Sequence, residues 1–273
     1  MPKKVPDYDG FITVTRKGKK NRKLTPQDVF AHLQEPEAKS GPFDKRKFES
    51  AVEDIRNSDF FTNFKENLLC TLKNFYSNVE SDYQVNLLQN VDIVCYGLGH
   101  FVSCVTARYQ LAFLIILKDI VLPRAISIYD PVFSNEEKSV LEGLGLNVLD
   151  VNEEAKRTAF SKTIFFMPHC DLPLYNNLLW ANWSKDSLSK LILIGNSFQQ
   201  YLLDRTEKCL KEKAIYVNYA SKFAREVRIV NDFKFLDVFN NLSLHCFHIN
   251  ALSEVPFEVW NDNTEPVYDD DDD

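Results

Sequence analysis

A chain of 273 residues with 45% hydrophobic and 13% aromatic side chains, 21 of them Phe, can bury a substantial core, which excludes a disordered or low-complexity protein. The net charge of −7 is lopsided: residues 3–23 carry eight Lys or Arg against two Asp, whereas Asp269 to Asp273 are five consecutive acids. Nucleic-acid binding is therefore expected nowhere but the basic arm, and six scattered Cys with no CxxC pair and no apolar leader fit free thiols in the cytoplasm, with access to the nucleus.

The basic arm, residues 1–40, is expected to stay largely solvated, although Thr25 followed by Pro26 reads as the cap and first turn of a helix at 24–30. From residue 41 the apolar spacing is helical. Phe48, Val52 and Ile55 form one stripe and Phe61, Phe64, Leu68, Leu69 and Leu72 another, with a break near Asn57-Ser58, so two helices are predicted within 41–80. From residue 91 short apolar runs alternate with amphipathic ones. "VDIVCY" (91–96) is a strand, then a helix runs from about Phe101 to Leu117; its "LAFLIIL" is too short to cross a membrane, and no membrane partner is expected. "AISIYD" (125–130) is the second strand. A helix capped at Ser134 and closed at Gly145 leads to the third, "NVLDV" (147–151). "KTIFFM" (162–167) and "KLILIG" (190–195) read as strands four and five, flanking a helix in "LPLYNNLLWANW". A single helix is predicted over 199–213, a sixth strand in "AIYVNY" (214–219) and a last strand in "SLHCFHI" (243–249). Such alternation predicts an α/β fold, a Rossmann-like, mostly parallel sheet with helices on both faces, preceded by the N-terminal helices. The expected organisation is one domain over 41–268, with its core at 91–250, followed by the acidic tail 269–273.

Ligands of such sheets sit beyond the carboxyl ends of the strands. Those ends carry Gly97, Gly99 and His100 after strand one, Asp130 after strand two, His169 and Cys170 after strand four, and Asn196 and Ser197 after strand five. The glycines allow close backbone approach, a helix N-terminus beyond them favours an anion, and Asp130 stands where a carboxylate can accept from ribose hydroxyls. His169 and Cys170 are the groups able to coordinate haem iron or a soft metal. The alternative is a tight strand-to-helix turn with no ligand, because no third glycine follows and Asp130 lies 33 residues after Gly97. His245 and His248 would face opposite sides of a strand and make a poor metal pair. Trp180 and Trp183 share a helix face and read as core.

"CYGLG", "ARYQLAFLIILK", "YDPVF", "LGLNVLDVNEEAKR", "TIFFMPHCDLPLYNNLLWANW" and "LILIGNSF" follow one another in an order that resembles the Sensitivity-to-Red-light-Reduced (SRR1-like) family. The resemblance implies a Rossmann-like domain and a regulatory role in circadian rhythm, light signalling and haem biosynthesis, with regulatory protein partners. It carries no agreed reaction, so no catalytic residue follows from it. Three functions remain in view. One is a regulator that binds haem, a nucleotide-type ligand or a partner protein. The second is a methyltransferase-like enzyme holding S-adenosylmethionine at Gly97, Gly99 and Asp130. The third is a scaffold with a vestigial pocket.

Overall fold

A computed structural model describes residues 41–76, 90–261 and 263–268; the expected helix at 24–30, the basic arm and the aspartate tail lie outside the described residues. Helices α1 (Lys45–Arg56) and α2 (Asp59–Tyr76) break where the sequence predicts. Asp44 caps α1 by accepting from the Arg46 and Lys47 N–H groups at 3.1 and 3.2 Å. Then come β1 (Asp92–Tyr96), α3 (Val105–Val121), β2 (Ile126–Tyr129), α4 (Asn135–Gly143), β3 (Asn147–Val148) and β4 (Thr163–Met167). The chain continues through α5 (Leu172–Ala181), α6 (Lys185–Leu188), β5 (Leu191–Asn196), α7 (Phe198–Asp204), α8 (Glu207–Lys213) and α9 (Ile215–Ala220). It finishes with β6 (Arg225–Arg228), a 3₁₀ turn at Leu236–Val238, β7 (Leu242–Cys246), α10 (Ile249–Glu254) and α11 (Phe257–Asn261).

The seven strands form one α/β sheet in the order β3-β2-β1-β4-β5-β7-β6. β1 to β5 pair in parallel, while β7 runs antiparallel to both β5 and β6. The order reverses between β1 and β4, where the crossovers diverge and leave a crevice at the carboxyl ends. Alternation along each strand divides the core. Ile93, Cys95, Ile164, Phe166, Ile192 and Ile194 face α1, α2 and α3, whereas Val94, Tyr96, Phe165, Met167, Leu191 and Leu193 face α5 and α9. The first face is rich in rings: Phe60 stacks on Phe239 with centroids 4.3 Å apart, and Phe64 meets Phe113 edge-on at 4.7 Å.

Four expectations need correction. "AIYVNY" is the helix α9, not a strand. Its β-branched and aromatic residues suggest a strand, but Tyr216, Val217 and Ala220 bury on one helical face. Asn176 supplies the missing cap, accepting from the Tyr216 N–H at 2.9 Å. The sixth strand is instead "REVR", an edge strand whose charges obscure its period. The helix predicted over 199–213 is two, because Thr206 caps α8 through the Cys209 N–H at 3.2 Å. Finally, α3 starts at Val105 rather than Phe101: residues 100–103 form a turn closed by the Cys104 N–H on the His100 carbonyl at 2.8 Å. No helix of the described residues is long and apolar enough to cross a membrane.

Candidate functional site at the strand carboxyl ends

β1 ends in Tyr96 and turns through Gly97 and Gly99, both in the left-handed region at φ +70° and +78°. A Cβ on Gly97 would lie 2.4 Å from Cys170 Sγ, so the two turns after β1 and β4 lie against each other. The Cys170 thiol, itself buried, donates to the Tyr96 carbonyl at 3.3 Å. Burial, followed by the charges of Asp130 and Asp171, pushes its pKa up, so it stays a thiol.

Asp130 is 7% exposed and accepts from the Gly99 N–H at 2.7 Å and the Val132 N–H at 3.0 Å. It therefore holds the glycine turn against the end of β2. His100 turns away to Glu137, with Nδ1 3.0 Å from Oε2. Glu137 belongs to a capping box with Ser134 and also accepts from the Val102 N–H at 3.2 Å. Burial alone would raise its pKa, but the Ser134, His100 and Val102 hydrogen bonds hold it below the ordinary value.

His169 is left-handed at φ +58°, an uncommon state for a residue with a Cβ. Its N–H donates to Asn196 Oδ1 at 2.9 Å, and its Nε2 lies 3.2 Å from the Val238 carbonyl. Asn196 also donates through Nδ2 to the Cys170 carbonyl at 3.1 Å and to Tyr201 OH at 2.9 Å, joining the ends of β4 and β5. Ser197 caps α7 by accepting from the Gln200 N–H at 3.1 Å, and donates to Glu226 Oε1 at 2.5 Å.

A cavity of about 670 Å³ opens at the carboxyl ends of β1 and β2. Tyr96, Gly97 and Tyr129 form its strand side, and Asp171 and Leu172 come from the start of α5. Ala155, Arg205, Lys213 and Tyr268 complete the part that matters for charge and shape. Of the eight residues singled out in the sequence, Gly97 alone is on this wall. Cys170 lies directly beneath it, and Asp130, Asn196 and His169 brace the turns from behind. Tyr96 is fixed by its OH on Glu153 Oε2 at 2.5 Å, and Glu153 is forked by Arg157 at 2.7 and 2.8 Å. The Arg157 guanidinium holds the Glu153 carboxyl below its ordinary pKa, while burial and Glu153 push the Tyr96 phenol up. Glu154 and Ala155 are consecutive left-handed residues at φ +50° and +58° on the rim.

Arg205 and Lys213 were hidden by the expectation of one continuous helix; the Thr206 cap three residues before Cys209 was the signal that α7 stops at Arg205. Tyr268 abuts the aspartates, a run that reads as tail. Among the described residues no three His, Cys, Asp or Glu are grouped to hold a metal ion. Neither His169 nor Cys170 presents a ligand atom to the cavity, so these two do not fit axial coordination of haem iron there. Asp130 is likewise not on the cavity wall, and each of its oxygens accepts a backbone N–H, Oδ2 from Gly99 and Oδ1 from Val132.

A family model, the SRR1 domain, matches residues 69–246. The chain is 41% identical over 205 residues to an SRR1-like protein of Mus musculus, covering 67% of this chain and 82% of that one. It is 38% identical over 227 residues to the Arabidopsis thaliana protein SENSITIVITY TO RED LIGHT REDUCED 1, covering 79% and 78%. An SRR1-like protein of Drosophila melanogaster is 32% identical over 160 residues, 59% of this chain and 56% of that one.

Proposed function

Taking as premise that the chain belongs to the SRR1 domain family, we propose that it is a regulatory protein of circadian rhythm and haem biosynthesis that responds to a small anionic ligand in the cavity beyond β1 and β2. The name of the Arabidopsis relative refers to red-light sensitivity, which agrees with a regulatory role. The observation that carries the ligand reading is the wall itself. Two cations, Arg205 and Lys213, against one acid, Asp171, make it net positive, and the bare Gly97 backbone gives access at a strand end. The family's haem connection enters as control of synthesis; coordination of iron by His169 or Cys170 has no support from their placement.

A second reading, a methyltransferase-like enzyme, draws on the strand order. An antiparallel β7 between β5 and β6 on a 3-2-1-4-5 sheet is also the arrangement of class I methyltransferases. Fold does not fix function, and the commitment of Asp130 to the glycine turn weighs against a nucleoside in this chain.

A thermal-shift screen over inorganic pyrophosphate, nucleotides, S-adenosylmethionine and haemin tests both. A ligand at a hundredfold excess over its Kd stabilises by about 2.7 kcal/mol, equivalent to roughly 5–10 °C in a chain of this size. Gly97→Val is expected to abolish the shift, and His245→Ala, in β7 and away from the cavity wall, to leave affinity unchanged. Transfer of a labelled methyl group would favour the enzyme. If no anion shifts the melting curve, the ligand reading falls.

A further inference from the structure

Asp44, Ser134, Ser184, Ser197 and Thr206 each close the start of a helix with their side chains. Asp171 occupies the same place at the start of α5, with the extended backbone of a cap at ψ 152°, yet its carboxylate accepts from no N–H of the helix. It is exposed, lines the 670 Å³ cavity, and has no hydrogen bond or ion pair among the described residues. Arg205 lines the same cavity, is exposed, and its guanidinium likewise has no partner among them, so two opposite charges share a wall without pairing with each other. Lys213, on that wall too, is already engaged, which leaves Arg205 as its free cation. Both free charges reach Tyr201 on α7: burial pushes its pKa up, Arg205 opposes that rise and Asp171 adds to it.

A ligand carrying only an anion would meet Asp171 as well as Arg205, and repulsion from the first would cancel much of the attraction to the second. A ligand carrying both signs satisfies both. A guanidinium matches a carboxylate or phosphate with its fork of N–H donors, and a protonated amine brings three donors to a carboxylate. The rest of the wall suits a flat body. Tyr96 is held by Glu153, Tyr268 OH accepts from Asn176 Nδ2 at 2.9 Å and donates to the Pro173 carbonyl at 3.2 Å, and the Tyr129 hydroxyl has no partner among the described residues. A sphere of the cavity's volume is ~11 Å across, room for a ring between two charged ends.

Resting on the reading that this cavity takes a small anionic ligand, we propose that the ligand is bipolar: a small ring compound whose phosphate or carboxylate engages Arg205 while a protonated amine on the same molecule engages Asp171. Asp171 then sets specificity, because anions that lack the amine leave its carboxylate unpaired beside their own charge.

Two probes that share a ring and a phosphate test this on the full chain. Pyridoxamine 5′-phosphate carries an aminomethyl group where pyridoxine 5′-phosphate carries a hydroxymethyl group. Isothermal titration is expected to give the amine a Kd about tenfold lower, the size of one charge-assisted hydrogen bond. Asp171→Asn is expected to erase that preference by weakening the amine alone, and Arg205→Gln to weaken both probes alike. Neither side chain holds another element in place, so both variants are expected to melt as the wild type does. Equal or inverted Kd values in the wild-type chain, a preference that survives Asp171→Asn, or undiminished binding by Arg205→Gln would overturn the proposal and leave the anion reading standing. Inorganic pyrophosphate separates the remaining cases. If it binds and neither ring phosphate does, the bipolar ring ligand is wrong; if none of the three binds, the anion reading fails and the proposal falls with it.

Discussion

Replacing Gly97 with Ala tests whether the close approach of the two turns depends on the absence of one carbon. The new Cβ would meet Cys170 Sγ at 2.4 Å, while the next nearest atom, Cys170 Cβ, is 3.8 Å away, an ordinary contact. Two costs are separable. A residue with a Cβ at φ +70° is strained by about 1 kcal/mol, and the overpacking against sulfur costs about 2 kcal/mol. G97A is therefore expected to lose about 3 kcal/mol, a fall of roughly 6–12 °C in Tm for a chain this size. C170A removes the obstructing sulfur, and alone costs about 1 kcal/mol for lost packing. The double variant has only the φ strain and the lost thiol, about 2 kcal/mol rather than the additive 4, a coupling of about 2 kcal/mol. Urea denaturation followed by far-ultraviolet circular dichroism, with unchanged m-values, measures each corner of the cycle. Strict additivity would refute the claim that Cys170 occupies the space a Gly97 side chain needs.

Glu226 accepts from Ser197, Ser243 and the Gln199 N–H, and lies 3.5 Å from the buried His245. Burial alone would raise its pKa, but His245 and the two hydroxyls bring it down to about 2. A depressed carboxylate contributes stability above its unfolded pKa and loses it as pH falls toward the folded one, so the gap between wild type and E226Q should be on the order of 3 kcal/mol at neutral pH. That gap should shrink as pH drops below about 4.5 toward about 2, and a gap independent of pH in urea titrations would count against this account. Glu137→Gln puts an amide N–H₂ against one of the donors now facing the carboxylate, and is expected to cost about 2 kcal/mol, with the exposed Glu142→Gln near neutral; equal melting temperatures for E137Q and wild type would contradict it. Limited proteolysis is expected to leave one core spanning about 41–268, and two separately stable fragments parted near Ser81 would refute a single domain.

Much of the sheet was legible because its strands are buried on both faces and read as unbroken hydrocarbon: "IVCY", "TIFFM" and "LILIG" leave no other reading. Ser134 and Glu137 likewise announce α4, and the capping box is present. What failed was decided at a distance. Whether "AIYVNY" coils depends on Asn176, 40 residues earlier, and whether "REVR" extends depends on pairing with β7. The strand ends carry the polar groups the sequence singles out, but only Gly97 of them is on the cavity wall, because their roles turn on direction. Asp130, His100 and Asn196 each had two options, a ligand or a neighbouring backbone or side chain, and each is placed on the neighbour. No spacing in the sequence encodes that choice.

The cavity itself follows from an omission in the fold. A parallel crossover ordinarily brings a helix back over the sheet, yet residues 149–162, which join β3 to β4, contain neither helix nor strand. In place of a helix there is a strap. Ala155 is buried against the sheet face, two consecutive left-handed residues turn the chain, and Asn177 donates to the Glu154 carbonyl at 3.0 Å to hold it. A strap covers less than a helix does. Beneath it the face of β1 and β2 opens at both ends, as the 670 Å³ cavity at the carboxyl end and one of about 540 Å³ at the amino end lined by Asp92, Ser127 and Thr163. The remaining cover comes from residues 263–268 through Glu265 and Tyr268. Both covering segments are secured by side chains rather than by a ladder of backbone hydrogen bonds, so they belong to the low end of local stability, while the strands beneath them belong to the high end. A rigid floor under lightly held walls is the combination a ligand site needs if it is to admit its occupant and register the arrival.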